Sequence, residues 1–119
     1  MISPYKKGNL VLNLSFQLAL DVIEYTELLE TKRKFNMANQ LFRSGTSIHA
    51  NIREAQNAES KADFIHKMKI AAKEGDEQKF WMFLMKFSKH YPDPQEMIPE
   101  LEEIEKILTS IIATSKRNG

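Results

Sequence analysis

Leu41-Phe42-Arg43-Ser44-Gly45-Thr46-Ser47-Ile48-His49-Ala50-Asn51-Ile52-Arg53-Glu54-Ala55 is the stretch on which the fold turns. Set on a helix, Leu41, Gly45, Ile48, Ile52 and Ala55 recur at alternating steps of four and three, a packing seam along one side. Beside it runs a polar stripe of Gln40, Arg43, Ser47, Asn51 and Glu54, with Ser44 between the two. Small side chains admit a neighbouring backbone, and polar groups drawn into such a contact need partners. Arg43 needs one most, because its guanidinium keeps its charge. Glu54 lies too far along the same helix, so a carboxylate on another helix or subunit is expected. A helix-interior glycine costs about 1 kcal/mol relative to alanine, so Gly45 marks an expected close approach. His49 and Arg53 fall on the opposite face and are expected to be exposed. A packed helix with a merely solvated flank explains the same stripes.

Outward toward the C-terminus, Ser60-Lys61-Ala62-Asp63 reads as a near-capping box that opens the next helix. Phe64, Met68, Ala71, Gly75, Met82 and Met85 trace its apolar stripe, and Ile70, Glu74, Glu77, Trp81 and Leu84 a neighbouring one. Glu74 or Glu77 is the expected acceptor for Arg43, with Trp81 over the pair; Gly75 is a second expected close-packing point. Tyr91-Pro92-Asp93-Pro94 ends this helix. A short turn follows, because Pro99 comes too soon for an undisturbed helix, and a last helix runs along Met97, Leu101, Ile104, Leu108 and Ile111. Toward the N-terminus, Thr31-Lys32-Arg33-Lys34 is a connection, preceded by a broadly apolar helix on Val11, Leu14, Leu18, Val22, Tyr25 and Leu29. Leu12, Phe16, Ala19, Leu20 and Ile23 widen that face, so several neighbours are expected to cover it, another subunit among them. Its polar side carries Asp21, Glu24, Glu27 and Glu30 rather than the basic residues of a membrane-surface helix.

The chain thus reads as one all-α domain, residues 1–119, with helices at about 9–31, 36–57, 60–89 and 98–115. Short connections predict an antiparallel up-down-up-down four-helix bundle. Two segments also resemble a known family. They are R-S-G-T-S-I-x-A-N-I-x-E-A from Arg43 to Ala55, preceded by Gln40-Leu41, and A-x-K-E-x-x-E-x-x-x-W carried by Ala71, Lys73, Glu74, Glu77 and Trp81. Both look like signatures of the bacterial four-helix-bundle proteins encoded in intervening sequences of 23S ribosomal RNA, which include the accessory variability determinant proteins of diversity-generating retroelements. The resemblance implies a ring-shaped homopentamer and, for the retroelement relatives, a basic surface that binds nucleic acid and a reverse transcriptase. It does not imply an enzyme. Gln40, Arg43, Ser44, Ser47, Asn51, Glu54, Glu74, Glu77 and Trp81 are then the expected polar network or interface.

Composition narrows the chemistry. The chain has no cysteine, which removes disulfides, thiolate catalysis and cysteine-held zinc and fits a reducing cytoplasm. Its longest uncharged run, Gly8 to Leu20, is too short to span a bilayer. A cytoplasmic protein is expected. Di-metal sites in bundles need Glu-x-x-His pairs, and the chain offers only one Asp63-x-x-His66, so no metal or other cofactor is expected. Neither Ser44 nor Ser47 has a local histidine base, and His49, His66 and His90 are scattered; no catalytic residue or small-molecule substrate is expected. The net charge of +1 hides a local +6 over residues 32–89 and a local −6 over residues 90–105. These blocks either pair with each other or leave a basic face. Lys32, Arg33, Lys34, Arg53, Lys61, Lys67, Lys69 and Lys73 are the candidate phosphate contacts, and in a ring their binding would fall steeply with salt. Two readings remain: a scaffold that binds RNA or a nucleic-acid enzyme, and a protein-interaction module that touches no nucleic acid.

Overall fold

The computed structural model describes residues 3–118. It is all-α: α1 (Leu10–Thr31), α2 (Phe35–Ala55), α3 (Lys61–Phe87) and α4 (Met97–Arg117), with no strand among the described residues. The starts of α1 and α3 are capped by side chains. Asn9 Oδ1 accepts from the Leu12 amide at 3.3 Å, and Ser60 Oγ accepts from the Asp63 amide at 3.0 Å. The expected short turn is present at Gln95 and Glu96, closed by the Met97 amide donating to Pro94 O at 3.2 Å, and the last helix starts at Met97; Pro99 does not disturb it. Pro99 sits in the first turn, where amides have no helical acceptor to lose.

The α1–α2 connection is a Schellman turn. The Arg33 amide donates to Glu30 O at 2.9 Å and the Lys34 amide to Leu29 O at 2.9 Å, with Arg33 at φ 61°. Glycine is the usual residue at that left-handed position, and a side chain there costs about 1–2 kcal/mol. Arg33 is held there nonetheless.

Leu18, Leu29, Leu41, Ile48, Ile52, Met82, Leu101, Ile104 and Leu108, drawn from all four helices, form one solvent-excluded core. Neighbours around it are α1–α2, α2–α3, α3–α4 and α4–α1. Paired side chains fix their registers. Asn9 Nδ2 donates to Gln56 Oε1 at 2.9 Å; Lys67 Nζ lies 3.6 Å from Glu54 Oε1; Lys79 Nζ lies 2.9 Å from Glu105 Oε1. The Tyr25 hydroxyl donates to Pro92 O, tying α1 to the α3–α4 connection. Burial first, then the Asp93 charge, push that phenol up to about 12.

The two helix glycines differ. A Cβ on Gly45 would sit 2.9 Å from Val22 Cγ1, Val22 Cγ2 and Gln78 Nε2, so the expected close approach is there. A Cβ on Gly75 would meet Leu101 Cδ1 at 3.6 Å and Glu105 Cγ at 3.8 Å, ordinary contact distances. Gly75 is therefore not a close-packing point, because the facing α4 groups stand back by a carbon's width.

Candidate functional site

Glu74 and Glu77, three residues apart, lie on one side of α3 facing Arg43 of α2. Arg43 Nη1 is 3.2 Å from Glu74 Oε2, and Nη2 is bonded to Glu77 Oε2. The clamp uses both carboxylates, but Arg43 is 50% exposed rather than buried. Solvent screening puts such pairs near 1 kcal/mol, not the roughly 3–5 kcal/mol lost when a buried partner is removed. Glu54 stands apart from this clamp with Lys67. Asn51 Nδ2 donates to Ser47 O at 2.9 Å, within its own helix, and the Gln40 side chain is exposed.

The buried polar contact lies one step inward. Ser44 Oγ bonds Gln78 Oε1 and lies 2.9 Å from Gln40 O; both side chains are fully excluded from solvent. Gln78 was not singled out in the sequence. The signal was the seven-residue gap in the α3 seam between Gly75 and Met82, which Gln78 fills.

His49 is half-buried, not exposed. Ser15 Oγ donates to Leu12 O at 3.1 Å, so His49 Nδ1 donates to Ser15 Oγ at 2.9 Å and Nε2 accepts from Tyr5 O–H at 2.7 Å. Phe16 meets both Tyr5 and His49 edge-on, and the Tyr5 and His49 rings are tilted against each other. Burial, and then the Arg53 charge, hold the imidazole below its usual range. The neutral ring locks the N-terminal segment onto α1 and α2. Ser15 is fully buried, so a substrate has no approach to it as a nucleophile.

The basic candidates do not form one patch. Lys32, Arg33 and Lys34 occupy the α1–α2 turn, whereas Arg53 and Lys61 lie at the other end of α2, about 30 Å away by helical rise. Lys67 is engaged by Glu54. Lys69, farther along α3 with Lys73, meets the Lys116 ammonium, which holds Lys69 below its usual range. One ion pair, Lys79–Glu105, joins the basic and acidic blocks, and none among the described residues engages Lys32, Arg33 or Lys34. Their turn lies beside the acidic connection, with Lys34 Nζ 5.1 Å from the Tyr91 ring centre.

Among the described residues, nine large apolar side chains are at least 40% exposed, far more than a closed bundle needs. Phe80, Phe83, Leu84 and Phe87 share one face of α3 at steps of three, one and three, and Phe87 is 82% exposed. Phe35 and Phe42 stand on α2; Leu10, Leu20 and Leu28 stand on α1.

Two cavities are notable. One of 350 Å³ is lined by Asn36, Met37, Asn39, Gln40, Trp81 and Tyr91. The other, of 490 Å³, lies between α1 and the α3–α4 connection and is lined by Asp21, Glu24, Tyr25, Asp93, Glu96 and Glu100 among others. There the Glu100 carboxyl is raised to about 7, by burial first, then by its hydrogen bond to Asp21 and the Asp21 and Glu96 charges. Its folded value lies above its ordinary 4.5, so its contribution to stability is complete below 4.5 and fades as pH rises through 7. Glu100→Gln should remove this loss. From about pH 5 to about pH 8 the variant's melting temperature should fall by about 2–4 °C less than wild type's, an effect limited by the group's partial exposure. Parallel thermal melts across that range check it. No cluster of three or more His, Asp or Glu residues suited to a metal ion occurs among the described residues. No helix among them is long and apolar enough to cross a membrane.

A family model for the 23S rRNA-intervening sequence protein matches residues 7–110. The fold is also similar to the 1.70 Å crystal structure of a protein with unknown function from the S23 ribosomal protein family, from Bacteroides thetaiotaomicron VPI-5482. The two are 39% identical, with a TM-score of 0.81, over 86% of this chain and 97% of that chain. No curated protein matches.

Proposed function

Because this chain belongs to the 23S rRNA-intervening sequence protein family, we propose that it is a non-enzymatic oligomeric scaffold that binds RNA or a nucleic-acid enzyme. The exposed Phe80, Phe83, Leu84 and Phe87 face carries the assembly half of this reading. Its counterpart is α1, which has no basic residue and mixes exposed Leu20 and Leu28 with Glu24 and Glu27. Lys73 and Asp76 share that face of α3 with the phenylalanines, so its contact is carried by apolar area rather than by one sign of charge. Unlike faces meet head to tail, a contact that closes into a ring when the rotation allows; the family resemblance favours five copies. The register of Asn9 with Gln56, Glu54 with Lys67 and Lys79 with Glu105 supports an antiparallel up-down-up-down protomer.

The nucleic-acid half rests on the basic turn. Arg33 occupies a conformation that glycine would adopt more cheaply, and no acid among the described residues neutralises Lys32, Arg33 or Lys34. Arg33→Gly separates the two roles. It should raise folding stability by about 1 kcal/mol while weakening RNA binding and lessening its salt dependence by about one counterion. Titration of the wild type and variant with RNA at low and moderate salt reads both. Unchanged affinity would clear the turn, and no RNA binding at low salt would leave the alternative, a protein-docking module. That alternative is favoured by the separation of the basic residues between two ends.

A further inference from the structure

The 350 Å³ cleft lies between the start of α2, the end of α3 and the connection after it. Its volume is near the lower limit for small-ligand pockets, enough for a single planar group. Three side-chain amides line it, Asn36, Asn39 and Gln40, and none has a side-chain hydrogen-bond partner among the described residues. An amide offers a donor and an acceptor side by side, the pairing that reads the edge of a base. Two aromatic rings, Trp81 and Tyr91, supply flat apolar surface, and the Trp81 indole nitrogen is buried without a partner. Lys34 reaches over the Tyr91 ring from the basic turn. Amides, rings and unpaired cations thus converge at one end of the molecule.

We propose that this cleft takes one unpaired base of single-stranded RNA, stacked against Tyr91 or Trp81 and read by Gln40 and Asn36, while Lys32, Arg33 and Lys34 hold the flanking phosphates. The proposal rests on the nucleic-acid reading above and adds a strand preference: a duplex keeps its bases stacked and cannot present one to the cleft. A peptide would use the amides and rings equally well, but it would leave the basic turn without anions.

Trp81 is the only tryptophan, so the emission comes from one ring, which lines the cleft and meets Phe80 at 5.0 Å. The probes are a short, unstructured, end-labelled oligouridylate and a double-stranded RNA of equal length, with label anisotropy reporting binding and Trp81 emission reporting occupancy. The expected result is saturable quenching by the single strand and none by the duplex. Tyr91→Ala should weaken single-strand binding about tenfold, the order expected for losing one stacked base. Gln40→Ala, at an exposed position, should keep the fold and alter the preference between oligouridylate and oligoadenylate. Anisotropic binding with unchanged emission, and with both variants binding like wild type, would overturn the cleft and leave the basic turn standing. Absence of binding at low salt would overturn both. Protein concentration is held fixed through the titration, so that assembly through Phe80, whose ring meets Trp81 at 5.0 Å, does not enter the reading.

Discussion

Gly45→Ala should destabilise the protein while Gly75→Ala should stabilise it, although both place a methyl group on a buried helix glycine. At Gly45 the new carbon would lie 2.9 Å from both Val22 methyls and from the Gln78 amide. Val22 is β-branched and buried, and Gln78 is pinned by Ser44, so neither yields easily. Overpacking of this kind costs about 1–3 kcal/mol, which outweighs the gain of about 1 kcal/mol from a better helix former. Gly45→Leu should cost about 3 kcal/mol or more. At Gly75 contacts of 3.6 Å and 3.8 Å leave room, so the propensity gain of about 1 kcal/mol survives. Urea unfolding of both alanine variants decides it, and equal midpoints would contradict this account of the α1–α2–α3 contact.

The same contrast shows what was legible in the sequence. Gly45 and Gly75 look alike in a one-dimensional pattern, since each occupies a seam where a larger residue was available. The spacing across to the next helix separates them, and no helical period contains it. The helices were readable because their seams, caps and prolines are local signals; α1 and α3 ended within two residues of expectation. Arg43 meeting Glu74 and Glu77 was readable because the charge demanded a carboxylate and α3 offered two on one face. Its exposure was not, because depth depends on how far the stripe is rotated from the core. His49 was placed on a free face because α2 was considered alone; Tyr5 and Ser15 come from elements that its period cannot reveal. The basic residues looked like one set because they are close in sequence. A long helix carries Arg53 and Lys61 away from the turn at Lys32, Arg33 and Lys34.

Changing Phe83 and Phe87 together to aspartate should break the proposed assembly without unfolding the protomer. Both are exposed on the outer side of α3, so the charges meet water in a lone protomer. Placed inside an interface, the same carboxylates would lose hydration without a partner, which costs several kcal/mol and exceeds what one contact patch can spare. Far-UV circular dichroism should therefore retain its helical signal while the complex dissociates to single chains. Retention of the wild-type mass would show that this face lies outside the contact.

The mass of the unmodified protein in dilute solution, by sedimentation or native mass spectrometry, tests the central claim most directly. A closed ring of five 13.8 kDa chains gives a single species of about 69 kDa that persists on dilution. A single 13.8 kDa species throughout would contradict the scaffold and leave the exposed phenylalanines to a different partner.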